Sequence, residues 1–274
     1  MTALHPSIEA VTPIPQGRPF GALRDILAVA GRNLTSIRRV PQLLVFTLIQ
    51  PVIFVVLFRY VMGGAIRVPG VAYVNYLIPG IFIQTIVFGS LQTAIGMAAD
   101  LKSGLLERFR SLPMARSAVL AGRTTADLAR NSFVVSLIAG VGFLVGFRVQ
   151  TNAWKFIAGL LLVLLFSYVL SWVFATVGLA VGDPESAQAA AFPVVAPLVF
   201  ASSAFVPVAS MPDWLQGFAT HQPVSVTASA VRALMIGPMG GEDTSTLVLK
   251  SLAWCAGILI VMVPFAVRRY RKAV

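Results

Sequence analysis

Charged residues inside the apolar stretches of this chain are few, and they limit its chemistry. Asp127 and Arg130 stand three residues apart in such a stretch, with Thr124, Thr125 and Asn131 close by. On a helix this spacing turns both charges to one side, where they can pair. Either charge left alone at a bilayer centre would cost ~2.5–3.5 kcal/mol. Two readings fit an intramembrane polar pair of this kind: an ion pair at the entrance of a helix, or one step of a proton relay. A relay needs further carboxylates or histidines deeper in the stretch, and none follows. His5 and His221 lie far apart, and Cys255 is the one cysteine. No group has metal-ligand spacing, and one cysteine cannot form a disulfide framework within the chain. The phosphate-cradling Gly-x-x-x-x-Gly-Lys-[Ser/Thr] loop is missing, as are His-Glu-x-x-His and Gly-x-Ser-x-Gly. Neither a catalytic residue nor a metal site is expected, and the chain is not read as an enzyme.

Two polar segments lie between apolar runs. The first runs from Asp100 to Met114 and contains Leu101, Leu105, Phe109 and Leu112 at spacings of three or four. Lys102, Glu107, Arg108 and Arg110 occupy the rest of the wheel, so a short amphipathic helix is predicted. Pro113 ends it at or before Leu112. Such a helix either caps its own bundle or docks in a groove on a soluble partner. The second segment is Gly182-Asp183-Pro184-Glu185, where an N-cap Asp is followed by Pro at the first helical position.

The elements that must carry these residues follow from composition. The chain is 57% hydrophobic and 11% charged, against about 25% charged for a soluble domain. An all-α, polytopic membrane protein is predicted. A helix needs ~20 apolar residues to cross the hydrocarbon core, and six stretches qualify: 43–62, 77–98, 124–147, 155–180, 188–208 and 247–267. The net charge of +11 does not point to nucleic acid, because Lys and Arg lie between apolar runs and form no dense patch. Fifteen of the 21 basic residues fall before the first span, around the 100–130 segment and after the last span. That bias predicts cytoplasmic termini. Residues 1–20, with four prolines and no apolar core, read as a flexible cytosolic tail. Residues 21–42 place Leu23, Ile26, Leu27, Ala30, Leu34 and Ile37 at helical spacing against five charged side chains. They read as an amphipathic helix in the headgroup plane, the alternative being an ordinary solvated helix. Residues 43–274 form the transmembrane domain.

Between the fifth and sixth spans, Trp214–Thr220 and Val224–Ile236 are apolar but too short to cross. Pro212-Asp213 starts one helix and Gly237-Pro238 stops the other. They read as an extracellular re-entrant helical hairpin, the alternative being a folded extracellular loop.

Taken together, the 104–113 segment, Phe205-Val206-Pro207, Met211 to Leu215, His221 to Ser225 and Arg232-Ala233-Leu234 resemble the type-2 ABC transporter permeases. The resemblance is to the daunorubicin/doxorubicin-resistance branch and covers nearly all of residues 20–270. It implies a permease paired with a second copy or a paralogue, in contact with membrane lipids. ATP and Mg would be held on separate ATPase subunits. Gly104, Leu105, Glu107, Arg108, Phe109, Arg110, Leu112 and Pro113 would form the ATPase-coupling helix. Asp183, Pro184 and Glu185 would make a second cytosolic contact. Met211, Pro212, Trp214, Gln222 and Pro223 would mark the re-entrant hairpin. The implied activity is export of hydrophobic drugs, antibiotics or lipids across the cell inner (plasma) membrane. The alternatives are an exporter of envelope polysaccharide or lipid, an intramembrane enzyme, and a proton-coupled carrier without an ATPase.

Overall fold

The computed structural model describes Gly31 and residues 41–66, 68–105 and 116–273, with side chains over 49–66, 68–105 and 120–270. The 1–20 tail and, apart from Gly31, Pro41 and Gln42, the expected 21–42 helix lie outside the described residues. Those described form helices α1 (Pro41–Val56), α2 (Tyr73–Lys102), α3 (Arg116–Leu144), α4 (Ala153–Val181), α5 (Pro184–Phe200), α6 (Asp213–His221), α7 (Pro223–Ile236) and α8 (Thr244–Ala273). α1 continues as a π-helical turn over Leu57–Met62. There is no strand among the described residues.

Among the described residues, four helices are long and apolar enough to cross a membrane: α2, α3 from Leu120, α4, and α8 to Tyr270. The expected spans at 77–98, 124–147, 155–180 and 247–267 fall on these four, although 124–147 runs past the end of α3. The other two expected spans fall on shorter pieces. Residues 43–62 are one helical run whose last turns are π. Of residues 188–208, only 188–200 lie on α5, which stops at Phe200. Pro193 and Pro197 inside α5 supply no N–H and crowd the preceding turn. The helix closes with Ala201 N–H on Pro197 O at 2.9 Å, and turns follow.

The 30 residues of α2 would measure about 45 Å at ~1.5 Å per residue. This helix is the buried centre of the bundle, with 83% of its most apolar window covered, against 11% for α8 at the periphery. α4 packs along α2, and Gly178 permits it, because a Cβ there would overlap the Ala94 carbonyl. α5 and α7 pack on other faces of α2, while α8 packs on α4 and α7. The larger core cluster joins Leu77, Ile81, Phe82, Ile138, Phe166, Val231 and Met235. A smaller one at the Lys102 end joins Met97, Leu120, Trp172, Leu179, Ala266 and Tyr270. Outward faces carry Phe133, Leu161, Phe192, Phe200, Trp254, Ile260 and Val261. Apolar exposure on this scale is rare on soluble monomers and suits helices with lipid as their solvent.

Candidate functional site

Three groups of side chains stand out, one near each end of α2 and one between.

At the Lys102 end, α4 closes on Gly182, whose φ of 75° needs no Cβ, and Asp183 opens α5. Asp183 Oδ2 accepts from Ser186 N–H at 3.1 Å, and Oδ1 accepts from Lys102 Nζ at 2.7 Å. The turn between α4 and α5 is therefore tied to the last turn of α2. The Lys102 ammonium, helped by the Ser186 N–H, holds the Asp183 carboxyl down to about 2. Ser103 and Gly104 (φ +68°) then end α2, with Leu105 following. Of the expected coupling residues, Gly104 and Leu105 follow Lys102, whose ammonium holds Asp183, and Pro184 and Glu185 form the first turn of α5. Glu107, Arg108, Phe109, Arg110, Leu112 and Pro113 lie outside the described residues.

Midway, Asp127 and Arg130 on α3 form an ion pair at 3.3 Å with side chains only 7% and 13% exposed. Thr93 Oγ1 on α2 donates to Asp127 Oδ2 at 2.7 Å, and Arg130 Nη2 donates to Gly89 O at 3.3 Å. Asn131 Nδ2 donates to Ser167 Oγ on α4 at 2.5 Å. One polar network thus crosses three helices. One and a half turns closer to the Lys102 end, Arg123 pairs with Asp100. Buried carboxylates need such partners, since their desolvation is otherwise uncompensated.

At the Tyr73 end, α6 and α7 differ. α7 is buried over most of its length, whereas Trp214 on α6 is exposed. Gln216 Nε2 on α6 donates to Met211 O at 2.9 Å. Gln222, between the helices and just before Pro223, reaches the end of α5, where Nε2 donates to Leu198 O at 2.9 Å and Ala201 O at 3.3 Å. The Ser203 and Ala204 carbonyls accept from Arg232 on α7. Tyr73 and Tyr76 on α2 donate their hydroxyls to Phe205 O and Ser203 O at 3.1 and 2.9 Å.

Arg232 is 3% exposed and packed 3.7 Å from the centre of the Tyr76 ring. A lone Arg in the otherwise apolar run 223–236 was the available signal. The aromatic donors Tyr73 and Tyr76 gave none, since tyrosines near a span end read equally well as interfacial anchors.

Comparison with known proteins gives these groups a common setting. Residues 24–236 match the model of the family described as ABC-2 type transporter. The daunorubicin resistance ABC transporter permease protein DrrB1 of Streptomyces coeruleorubidus is 30% identical over 288 residues, covering 99% of each chain. The doxorubicin resistance ABC transporter permease protein DrrB of Mycobacterium tuberculosis is 24% identical over 281 residues, covering 94% of this chain and 95% of the relative. An apolar helical bundle, a match spanning most of its length and a full-length permease relative lead to one conclusion: the chain belongs to the ABC-2 type transporter family, as a permease.

Proposed function

We propose that this permease is half of the membrane part of an ATP-driven exporter for hydrophobic drugs, antibiotics or lipids. A separate ATPase chain supplies ATP and Mg, and a second copy or a paralogue completes the pathway. The single observation that carries the coupling role is the Lys102–Asp183 contact. It makes one face of two segments far apart in sequence, each suited by charge and capping to meet a soluble partner. An ATPase pressing there acts at once on the end of α2 and the start of α5. Rigid, packed helices can carry such a displacement to a distant region.

In this reading six segments cross the plasma membrane, α1 with its π turn and α5 with its following turns being the two short ones. α6 and α7 form the re-entrant pair, with Gln222 at its inner tip. The Lys102 end and both termini face the cytoplasm, as the concentration of basic residues supports. Cargo class follows from the relatives named for daunorubicin and doxorubicin resistance and from the scarcity of charge along the bundle. The ion pair at Asp127 and Arg130 is partnered on both sides and serves as a structural tie between helices.

The test is co-isolation from native membranes in mild detergent. An ATP-hydrolysing subunit should accompany the wild-type permease and be lost with Glu107→Ala combined with Phe109→Asp. Equal recovery of the ATPase with the variant contradicts the coupling assignment.

A further inference from the structure

Arg232 is a buried cation that forms no ion pair among the described residues. Its partners are dipoles. Nε donates to Tyr76 O at 2.9 Å, Nη1 to Ser203 Oγ at 3.2 Å, and Nη2 to Ser203 O at 2.5 Å and Ala204 O at 2.8 Å. Those acceptors belong to two elements, the middle of the first turns of α2 and the turn that ends α5, while the arginine itself belongs to α7. Tyr76 O lies inside a helix, where the backbone already offers it the Gly80 N–H. The bond from Arg232 is therefore not needed to satisfy that oxygen, and its effect is to join α7 to α2.

Capping alone would not call for a cation. Gln222 satisfies the Leu198 and Ala201 carbonyls with a neutral amide. A buried arginine is expensive in a membrane bundle. Its planar fork does what an amide cannot, holding several acceptors in fixed directions at once. The geometry around it is tight. A Cβ on Gly80 would overlap the Ala204 carbonyl and come within 2.8 Å of Arg232 Nη2. The Tyr73 and Tyr76 hydroxyls bind the same turn from α2.

We propose that Arg232 is a positioning residue that locks the break after α5 and the α6–α7 pair onto α2, so that displacement of α2 at its Lys102 end moves all three as one body. This rests on the reading of the chain as an ATP-driven permease. α2 runs through the middle of the bundle from the Lys102–Asp183 contact to the Arg232 clamp. The clamp transmits the motion and touches no cargo.

The test uses the permease with its ATPase partner in proteoliposomes, comparing wild type with Arg232→Lys, Gly80→Ala and the double variant Tyr73→Phe/Tyr76→Phe. Lysine keeps the charge and loses the fork. The double variant keeps Arg232 and both rings and removes only two hydroxyls, so it remains informative if the others fail to insert. The readout is cargo moved per ATP hydrolysed, together with the KM for cargo. Misassembly lowers transport and hydrolysis together and leaves their ratio unchanged, whereas a broken clamp lowers the ratio. For Arg232→Lys the ratio should fall about tenfold, the size expected when charge-assisted hydrogen bonds are lost, with KM unchanged. The double hydroxyl variant should lower it less. Spin labels at Trp214 and Leu144 should report an ATP-driven distance change in wild type that is reduced in each inserted variant. An unchanged ratio and an unchanged distance response in the inserted variants overturn the proposal. Wild-type vesicles that transport nothing with ATP overturn the permease reading instead.

Discussion

Removing the Asp127 carboxylate should strand a charge between α2 and α3. In Asp127→Ala, Arg130 stays 13% exposed beside Gly89 and Asn131 with no carboxylate near it. Its remaining bonds, at 3.3 and 3.5 Å, are long for charged donors. Breaking a buried pair by deleting one partner costs ~3–5 kcal/mol. The low end applies here because Arg130 keeps two acceptors and some exposure, so a loss of about 3 kcal/mol is expected. Thr93 loses its acceptor but can turn to the Gly89 carbonyl one turn back, so it adds little. Asp127→Asn keeps an acceptor for Thr93 and loses the charge, and should cost about 1.5 kcal/mol. The double variant Asp127→Ala/Arg130→Met removes both charges and should recover most of the single loss. The assay is reversible unfolding in mixed micelles with increasing SDS, read by tryptophan fluorescence. A double variant as unstable as Asp127→Ala, or an Asp127→Ala loss under about 0.5 kcal/mol, would refute the stranded-charge argument.

Further outcomes concern other parts of the bundle. Gly178→Ala forces a methyl into the Ala94 carbonyl and should cost about 1–3 kcal/mol in the same assay. Gly217→Ala on α6 meets open space and should be neutral or up to ~1 kcal/mol stabilising. Introduced cysteines at Val231 and Gly241, which are buried and exposed respectively, should differ in reaction with an impermeant thiol reagent added outside. Labelling at Gly241 alone supports the hairpin reading, and equal labelling at both contradicts it. Asp183 has its carboxyl lowered from 3.8 to about 2, so its contact with Lys102 contributes above pH 4 and is lost as pH falls from there through 2. The ratio of wild-type to Asp183→Asn export should therefore stay flat from pH 5 to 8, and a slope in that window points to a different titrating group.

The sequence made much of this bundle legible. Four long apolar runs became α2, α3, α4 and α8, two of them across an internal proline, Pro79 and Pro264, because length and hydropathy suffice for a helix whose solvent is lipid. Asp127 and Arg130 pair as their spacing requires. The short pieces were harder to read. Pro193 and Pro197 stand in the first half of the 188–208 run, and whether a chain continues past such a break depends on what receives the freed carbonyls. Here the receivers are Gln222, Arg232, Tyr73 and Tyr76 from elsewhere in the chain. That tertiary choice leaves no local periodicity. Lys102 and Asp183 also looked unrelated, because their contact depends on α4 returning beside α2 over its whole length.

In the proposed function, this permease exports cargo only when a separate ATPase hydrolyses ATP against its Lys102 end. The most direct measurement is uptake of a fluorescent amphiphilic dye into inside-out proteoliposomes, with and without the ATPase, and with ATP or a pH gradient as the sole energy source. Uptake should require both the ATPase and ATP and should ignore the pH gradient. Uptake by the permease alone, driven by the gradient with ATP absent, would contradict the account.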